Sequence, residues 1–347
     1  MSIKVLIVDD SAVVREILEK GLAGDPELNV VGKAPDVYVA RDKIVFLKPD
    51  VLTLDIEMPR MDGIAFLKRL MPQYPVPVVI VSSISTGGAQ ATLDALEWGA
   101  VDYVLKPSVS IGNGLMDMMD ELIAKVKNAA RVDVSHWRAI HYTPGRAGST
   151  AVLTGTTDKV IAIGASTGGT VALTRIIRNF PPDMPGTVVV QHMPPLYTRL
   201  FAEKLDSLSK VRVKEAVEGD HLAAGRVLIA PGGMQMQVVR SGGHYTVTCR
   251  AGEKVNGHCP SVEVLLNSVA RAAGSNAIGV MLTGMGRDGA TALLNMRRAG
   301  ARTIAQDEAS SVVFGMPRAA YECGGAERLV NLEEMNQVLV NFVNSMQ

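Results

Sequence analysis

The segment VLIVDDS (residues 5–11) joins a continuous apolar run to two acidic residues and a serine. Residues 5–8 are mostly β-branched, as expected of a strand that is buried on both faces of a parallel sheet. Residues 12–22 then carry apolar side chains at helical spacing. A buried strand, an acidic turn and an amphipathic helix together predict the first unit of an α/β fold.

The same alternation continues through the first third of the chain. Further strands are predicted at 28–32, 50–54, 76–81 and 101–105, and further helices at 37–47, 63–70, 89–98 and 114–130. We therefore predict a (βα)5, flavodoxin-like domain over residues 1–127, with a parallel sheet and right-handed crossovers.

Residues 131–157 interrupt the alternation, because they are rich in Gly, Thr and Ser and lack a sustained apolar period. We assign 128–157 to a linker, in which Trp137 and Tyr142 are unusual residues. A second alternation over 158–347 predicts a doubly wound, mostly parallel α/β domain. Its antiparallel piece is a hairpin, since strand-like runs at 235–239 and 245–249 flank a Ser-Gly-Gly turn.

The overall charge balance is neutral, with 35 Lys and Arg against 35 Asp and Glu. A neutral total gives no surplus of cations for binding nucleic acid or an anionic membrane. By segment the formal charge is −5 over 1–127, +2 over 128–157 and +3 over 158–347.

The spacing of the cysteines and the lengths of the apolar runs indicate the cellular compartment of the protein. Cys249, Cys259 and Cys323 form neither a CxxC pair nor a disulfide framework. The first residues do not resemble a signal peptide, and no run of 18 apolar residues occurs. We therefore expect a cytoplasmic protein.

Acidic residues follow two of the predicted strands in the first domain. Asp9 and Asp10 come after the first strand and Asp55 after the third, whereas Ser82 and Lys106 end the fourth and fifth. Because the carboxyl ends of parallel strands meet at one edge of a sheet, these side chains are expected to lie together. Clustered carboxylates repel one another, so the cluster favours a divalent cation such as Mg²⁺.

Four segments of this domain, VLIVDDS, LDIEMPRMDG (54–63), VIVSS (79–83) and DYVLKP (102–107), closely resemble the signatures of response-regulator receiver domains. The resemblance implies that Asp55 accepts a phosphoryl group from a phosphohistidine on a sensor kinase. It also implies that Asp9, Asp10 and the backbone carbonyl of Glu57 hold Mg²⁺ beside Asp55.

The same resemblance assigns supporting roles at the predicted phosphoryl site. Ser82 would follow the phosphoryl group, and Lys106 would form an ion pair with it. Tyr103 falls at the position of the family's switch aromatic, three residues before Lys106. By resemblance, the peptide bond before Pro107 is expected to be cis.

The second domain opens with VIAIGASTGGT (160–170), a strand, a Gly-rich turn and a helix, with Ser166 at the turn. Such a turn suits either a nucleotide phosphate or a nucleophilic serine. The next strand ends in His192 and not in the acidic residue that a dinucleotide fold needs. Asp288, in LTGMGRDGA (282–290), supplies a carboxylate later in the chain. The order Ser, His, Asp differs from that of α/β hydrolases.

Five segments, IGASTGG (163–169), QHMP (191–194), APGG (230–233), PSVEVLL (260–266) and TGMGRDGA (283–290), look like the catalytic domain of CheB-type chemotaxis protein-glutamate methylesterases. A receiver joined to this domain by a linker is that family's architecture. The resemblance implies that Ser166 is the nucleophile, His192 the general base and Asp288 the residue that orients His192. Thr167 would lie beside the nucleophile, and Met285 would serve the oxyanion hole through its backbone N–H.

The implied activity is a phosphorylation-activated hydrolase of the chemotaxis pathway, inhibited by its own unphosphorylated receiver domain. Its substrates would be glutamate methyl esters, and specific glutamines, on methyl-accepting chemotaxis receptors. A chemotaxis histidine kinase would be the phosphodonor. Mg²⁺ would serve receiver phosphorylation, and ester hydrolysis would need no cofactor. We expect a monomer near receptor arrays, without nucleic-acid binding or membrane insertion.

Two other classes of function stay open at this level. A receiver-regulated nucleotide-binding module would place phosphate on the 164–169 turn. A phosphorelay or transcription-type output would need a basic recognition helix, which the second domain does not offer. Cys259 is an alternative nucleophile, although no base is evident beside it. The remaining histidines are expected at the surface or in loops: His136, His141, His221, His244 and His258.

Overall fold

The computed structural model describes residues 2–83, 85–107, 113–134 and 158–346. The chain divides into two compact units, residues 1–144 and 145–347. Most of the predicted linker lies outside the described residues, together with Trp137 and Tyr142. Among the residues that are described, no helix is long and apolar enough to cross a membrane.

The first unit is a five-stranded parallel sheet with a helix after each strand, which confirms the predicted (βα)5 domain. The strands are β1 (Ile3–Val8), β2 (Leu28–Ala34), β3 (Val51–Leu54), β4 (Val78–Ser82) and β5 (Asp102–Leu105). The helices are α1 (Ala12–Ala23), α2 (Val37–Leu47), α3 (Gly63–Gln73), α4 (Thr86–Glu97) and α5 (Asn113–Ala129). The strand order β2-β1-β3-β4-β5 is that of flavodoxin-like folds.

Side-chain N caps define where the helices of this unit begin. Ser11 accepts a hydrogen bond from the Val14 amide at the start of α1, and Asp62 accepts one from Ala65 at the start of α3. Asp36 and Ser85 cap α2 and α4 in the same way. Because each cap satisfies an amide of the first helical turn, it also holds the loop that precedes the helix. Two of these loops carry the predicted phosphoryl site.

The second unit is a seven-stranded parallel sheet with a separate antiparallel hairpin, as predicted. The strands of the sheet are β6 (Val160–Ala165), β7 (Gly186–Gln191), β8 (Arg212–Glu215), β9 (Arg226–Ile229), β12 (Ala277–Met281), β13 (Arg302–Gln306) and β14 (Arg328–Val330), and the hairpin strands are β10 (Gln235–Ser241) and β11 (His244–Arg250). The helices are α6 (Gly169–Ile177), α7 (Tyr197–Leu208), α8 (Val262–Ala273), α9 (Ala290–Arg298), α10 (Met316–Glu322) and α11 (Met335–Ser345). The order of the sheet is β14-β13-β12-β6-β7-β9-β8.

The sequence does not predict the two outer strands, β8 and β14, or the short helix α10. The β8 segment reads RVKE and buries only one of its four residues, so its apolar pattern is too weak to mark a strand. The β14 strand has three residues and α10 has seven. Outer strands are covered on fewer sides than central ones, and their sequences are correspondingly more polar.

One local expectation is wrong. Within the described residues the cis peptide bond precedes Pro260, and the bond before Pro107 is trans. The trans form of an X–Pro bond is the favoured one, by about 0.5–1 kcal/mol. The expectation at Pro107 came from resemblance alone and had no support from neighbouring residues.

At Gly63 the backbone of α3 approaches the residues that follow β3 closely. A β-carbon added at Gly63 would lie 2.5 Å from the Asp55 carbonyl oxygen and 2.9 Å from the Ile56 Cα, whereas one at Gly87 would meet nothing within 4 Å. Gly63→Ala should therefore destabilise the first unit by about 1–3 kcal/mol through overpacking. Hydrogen–deuterium exchange of β1 and β3 peptides in the full chain measures the change.

Gly87→Ala is the matched control, because Gly87 lies in the exposed first turn of α4. Alanine there should leave exchange unchanged or slow it, since it favours the helix by up to about 1 kcal/mol. Equal hydrogen–deuterium exchange in Gly63→Ala and the wild type would contradict the predicted steric clash of the alanine side chain with the backbone of Asp55 and Ile56.

Candidate active site and phosphoryl-acceptor site

The first unit brings the predicted acidic cluster together at the carboxyl edge of its sheet. One carboxylate oxygen each from Asp9, Asp10 and Asp55 lie within 4.8 Å of one another. The Lys106 ammonium forms ion pairs at 2.6 Å with Asp55 Oδ2 and at 2.9 Å with Asp9 Oδ2. Asp9 and Asp55 are buried, whereas Asp10 is exposed, so the cluster opens to solvent on one side.

Burial and the neighbouring Lys106 act in opposite directions on the pKa of Asp55. Burial is the largest influence and raises the pKa of the Asp55 carboxyl; the negative charge of Asp9 adds to this effect, and Lys106 only partly offsets it. Burial alone would lower the pKa of Lys106, but the hydrogen bond and charge of Asp55, with those of Asp9, produce a net rise. Lys106 is therefore held as a cation between two carboxylates.

The other predicted residues of this site lie around the cluster. Ser82 ends β4 and is buried, with its hydroxyl 3.4 Å from the carbonyl oxygens of Ser83 and Gly88. The Glu57 amide donates to Asp55 Oδ1 at 3.2 Å. Tyr103 is buried, and the Lys125 ammonium lies 5.0 Å from the centre of its ring. Ser82 lies at a strand end, as its sequence context predicted, whereas the roles of Glu57 and Tyr103 were implied by the resemblance and stay predictions.

Sequence reasoning missed Arg15 at this site. Its guanidinium Nη1 donates to the carbonyl oxygens of Asp9 at 2.7 Å and Asp10 at 2.9 Å. The side chain thus ties the first turn of α1 to the backbone of the acidic loop. Helical periodicity gives a position for Arg15 but not the direction of its side chain, so the pattern alone contained no signal for this contact.

The second unit places Ser166 and His192 side by side. β6 and β7 are paired in parallel with Ala165 opposite Gln191, and each candidate residue follows one of this pair. The His192 amide donates to the Ala165 carbonyl at 3.1 Å, which continues the pairing past the ends of the strands. Ser166 is partly exposed, and the His192 side chain is 7% exposed. The register therefore brings a serine and an imidazole to one edge of the sheet.

Asp288 lies behind His192 and is almost fully enclosed, with 2% of its surface exposed. Its Oδ2 atom is 2.9 Å from His192 Nε2 and accepts from the Val262 amide at 2.7 Å. Its Oδ1 atom accepts from the Asn256 side-chain amide at 2.8 Å and from the Ser261 hydroxyl at 2.9 Å. Both carboxylate oxygens are thus held in place by more than one donor.

These donors keep Asp288 ionised. Burial alone would raise the pKa of its carboxyl, but hydrogen bonds from His192, Asn256 and Ser261, together with the charge of His192, lower the pKa to about 2. An ionised acceptor at Nε2 favours the imidazole tautomer that carries its hydrogen on that nitrogen.

The loop before α8, which only the resemblance placed near the site, makes contacts that were not predicted from the sequence. The His258 ring stacks on the His192 ring, with centroids 3.6 Å apart and planes within 10°. His258 was expected in a loop, and its contact with His192 was not. Asn256 and Gly257 both have positive φ values, 52° and 85°, and the backbones of Val255 and His258 pair across them. The Asn-Gly pair is a turn signal that could have predicted this hairpin.

The predicted oxyanion-hole segments also lie at the nucleophile. The Ser166 amide donates to the Thr283 carbonyl at 3.0 Å. A β-carbon added at Gly284 would lie 2.9 Å from Ser166 Cβ, so the segment that leads to Met285 passes against the serine. The Thr167 carbonyl accepts from the Thr283 hydroxyl at 2.9 Å. Met285 itself is 39% exposed.

The alternative nucleophile, Cys259, has a less suitable setting. Its thiol lies 3.7 Å from the Gly252 carbonyl oxygen, and partial burial raises its pKa. A raised pKa lowers the fraction of thiolate, which is the reactive form. The geometry therefore favours Ser166.

Comparison with known proteins finds relatives of both units. A family model described as CheB methylesterase matches residues 161–339, and one described as response regulator receiver domain matches residues 5–112. A protein of Syntrophotalea carbinolica is 60% identical over 345 residues, which cover 99% of this chain and 98% of that protein. A protein of Sulfurimonas denitrificans is 53% identical over 352 residues, covering 99% of each. Both are named protein-glutamate methylesterase/protein-glutamine glutaminase.

The catalytic half also matches a solved structure. The crystal structure of the Thermotoga maritima CheB methylesterase catalytic domain gives a TM-score of 0.52 at 36% identity, over 53% of this chain and 98% of that one. A receiver domain followed by a methylesterase domain defines a response regulator with an enzymatic output domain. The chain belongs to the CheB methylesterase family, which confirms the resemblance seen in its motifs.

The raised pKa of Asp55 predicts that its charge opposes folding of the first unit. Because the folded pKa lies above the unfolded one, wild-type stability falls as the pH rises through the folded pKa. Asp55→Asn should therefore slow hydrogen–deuterium exchange of β1 and β3 at pH 7 without divalent cations. The difference should shrink at acidic pH. Added Mg²⁺ should slow exchange more in the wild type than in the variant, which lacks one of the carboxylates of the cluster.

Asp117→Asn, which removes an exposed carboxylate of α5, is the control and should behave as the wild type does. Faster or equal exchange in Asp55→Asn at pH 7 would refute the assigned direction of the pKa shift.

Proposed function

We propose that this chain is a protein-glutamate methylesterase and protein-glutamine glutaminase that acts on methyl-accepting chemotaxis receptors. The observation that carries the proposal is the arrangement of Ser166, His192 and Asp288, in which an ionised, buried carboxylate holds the imidazole next to the serine. The full-length similarity to proteins named for these two activities supports the same reaction.

His192 acts as the general base through Nδ1. Nε2 is engaged by Asp288, whereas Nδ1 is buried and has no hydrogen-bond partner among the described residues. In the proposed reaction the Ser166 hydroxyl attacks the ester carbonyl carbon while its proton passes to Nδ1. The tetrahedral intermediate then collapses, and Nδ1 returns the proton to the departing methoxy oxygen, so that methanol leaves.

Water completes the cycle. It attacks the acyl-serine carbonyl while Nδ1 takes one of its protons. The second tetrahedral intermediate collapses, Nδ1 returns that proton to the departing Ser166 oxygen, and a glutamate carboxyl group is left, which ionises at neutral pH. With a glutamine substrate the same steps apply, except that ammonia leaves in place of methanol. The ionised Asp288 stabilises the imidazolium in both halves, and backbone amides of the Thr167 and Met285 segments would hold the oxyanion. No cofactor enters these steps.

The first unit is the proposed phosphoryl acceptor, with Asp55 attacking the phosphorus of a phosphohistidine on a chemotaxis histidine kinase. Three converging carboxylates form an all-oxygen donor set of the kind that Mg²⁺ prefers. Asp9, Asp10, Asp55 and the Glu57 carbonyl would hold the ion, which when bound neutralises phosphoryl oxygens. Lys106, whose ammonium pairs with Asp55 and Asp9, would pair with a further phosphoryl oxygen. Ser82 and Tyr103 keep the supporting roles that the resemblance implies.

We further propose that phosphorylation of Asp55 activates hydrolysis at Ser166 and that the unphosphorylated receiver inhibits it. Two complete sites on one chain support this coupling, because a phosphoryl acceptor without an output would serve no purpose in the same polypeptide. Activity on receptors would place the protein at receptor arrays, as a monomer.

Ser166→Ala should lower methanol release from methylated receptor membranes by about 10³-fold or more, because it removes the attacking oxygen. Phosphorylation by a small phosphodonor should stay at the wild-type level, since Asp55 is untouched. Ser207→Ala, at an exposed position of α7, is the matched control and should retain full hydrolysis. Hydrolysis that persists in Ser166→Ala would refute the assigned nucleophile.

Activation by phosphorylation is tested separately. Methanol release is measured with and without a small phosphodonor and Mg²⁺, in the wild type and in Asp55→Asn. The wild type should become faster with the phosphodonor, and Asp55→Asn should not respond because it lacks the acceptor oxygen. Equal rates in all four conditions would contradict the coupling while leaving the esterase assignment intact.

A further inference from the structure

The turn that carries Ser166 has a defined type. The Gly169 amide donates to the Ser166 carbonyl at 2.7 Å, which closes a four-residue turn. Gly168 has φ 76° and ψ −5°, the values of the third residue of a type II turn. Glycine is required there because of the positive φ and because an added β-carbon would lie 2.5 Å from Val312 Cβ.

Two buried side chains from neighbouring strand ends hold the carbonyls of this turn. The Gln191 side-chain amide donates to the Ser166 carbonyl at 2.9 Å, and the Thr283 hydroxyl donates to the Thr167 carbonyl at 2.9 Å. Gln191 is 3% exposed and Thr283 is 1% exposed. The Val313 amide donates to the Thr283 hydroxyl oxygen at 2.9 Å. Two carbonyl oxygens lie within reach of the single hydroxyl hydrogen, and that of Thr167 at 2.9 Å is closer than that of Val313 at 3.3 Å.

These contacts determine where the amides of the turn point. In a trans peptide the N–H is directed opposite to the C=O. The carbonyl held by Gln191 therefore sets the direction of the Thr167 N–H, and the carbonyl held by Thr283 sets that of the Gly168 N–H. Type I and type II turns differ mainly by a flip of the central peptide, and the Thr283 hydroxyl bonds its carbonyl in the type II orientation.

The Ser166 amide is committed to another contact, because it donates to the Thr283 carbonyl at 3.0 Å. It is therefore turned away from an oxyanion formed at its own side chain. Donors for that oxyanion must come from other amides near the serine. Those of Thr167 and Gly168 are the next in the chain and would act together with the Met285 amide proposed above.

We propose that Gln191 and Thr283 are positioning residues for hydrolysis at Ser166, which hold the Thr167 and Gly168 amides in the direction that an oxyanion requires. This inference rests on the proposed function and deepens it. Neither side chain needs to touch the substrate, since each acts through the backbone of the turn. Their loss should slow bond formation at Ser166 more than it weakens substrate binding.

The test compares kcat and KM for methyl-ester hydrolysis in full-length variants. Thr283→Val keeps the shape of the side chain and removes its hydrogen bonds. It should lower kcat by about 10- to 100-fold, because misdirected donors lose most of their effect, with KM within about threefold of the wild type. Thr283→Ser keeps the hydroxyl and should restore kcat to within about threefold. Gln191→Met removes the second donor and should also lower kcat.

Thr303→Val is the matched control. Thr303 is fully buried on β13, and its hydroxyl has no hydrogen-bond partner among the described residues, so the variant should keep wild-type kinetics. Thermal unfolding of each variant shows whether the fold is kept. If Thr283→Val does not fold, Thr283→Ser and Gln191→Met carry the test.

A second readout is the rate at which a fluorophosphonate labels Ser166, because that reaction needs the oxyanion donors but no methyl ester. Labelling should slow in Thr283→Val as kcat does. Wild-type kcat and labelling in Thr283→Val, with hydrolysis abolished in Ser166→Ala, would overturn the positioning role and leave the proposed function standing. Equal losses in Thr283→Val and Thr283→Ser would overturn it as well. Slowed labelling in a protein without esterase activity would support the positioning role and remove the proposed function.

Discussion

The catalytic half depends on the hydrogen bonds that the buried Asp288 carboxylate accepts. It accepts hydrogen bonds from His192, from two side chains of the 256–261 loop and from the Val262 amide at the start of α8. Ser261 occupies the N-cap position of α8 but makes no side-chain cap there, and Asp288 takes over this function from another part of the chain. The charge of Asp288 therefore orients the imidazole of His192 and caps the N-terminus of α8. It also holds the loop that contains His258. A buried anion is stable here because its donors include main-chain amides at a helix N-terminus.

The two buried aspartates at the centres of the two sites differ in a way that fits the roles proposed for them. Asp288 is surrounded by donors, and its pKa falls to about 2. Asp55 has another carboxylate beside it and a single ammonium for compensation, and burial raises its pKa. The Asp288 carboxylate has hydrogen-bond donors at both oxygens and acts by orienting His192. The Asp55 carboxylate is costly to keep ionised, and a reactive oxygen that gains from binding a cation or a phosphoryl group is expected to be of this kind.

The positions of most candidate site residues could be predicted because these residues follow the ends of strands. Asp9, Asp55 and Lys106 follow apolar strands, and so do Ser166 and His192, so parallel pairing alone brings each group to one edge. The helices and strands with strong periodicity were predicted to within a few residues. Contacts that depend on side-chain direction were not, among them Arg15 with the acidic loop and His258 on His192. The outer strands β8 and β14 were not predicted from the sequence. Strands at the edge of a sheet bury fewer residues, so their sequences contain too few apolar residues to mark them.

The hairpin turn at Asn256 and Gly257 has a consequence for how this enzyme can vary. Surface turns usually accept extra residues at little cost, because their backbones are hydrated and make few contacts. Here the exposed turn sends the Asn256 amide inward to Asp288, and His258, two residues further on, stacks on His192. One inserted residue would shift either the amide or the ring out of reach. The length of this short surface segment is therefore constrained as tightly as a core position, although nothing about its exposure suggests it.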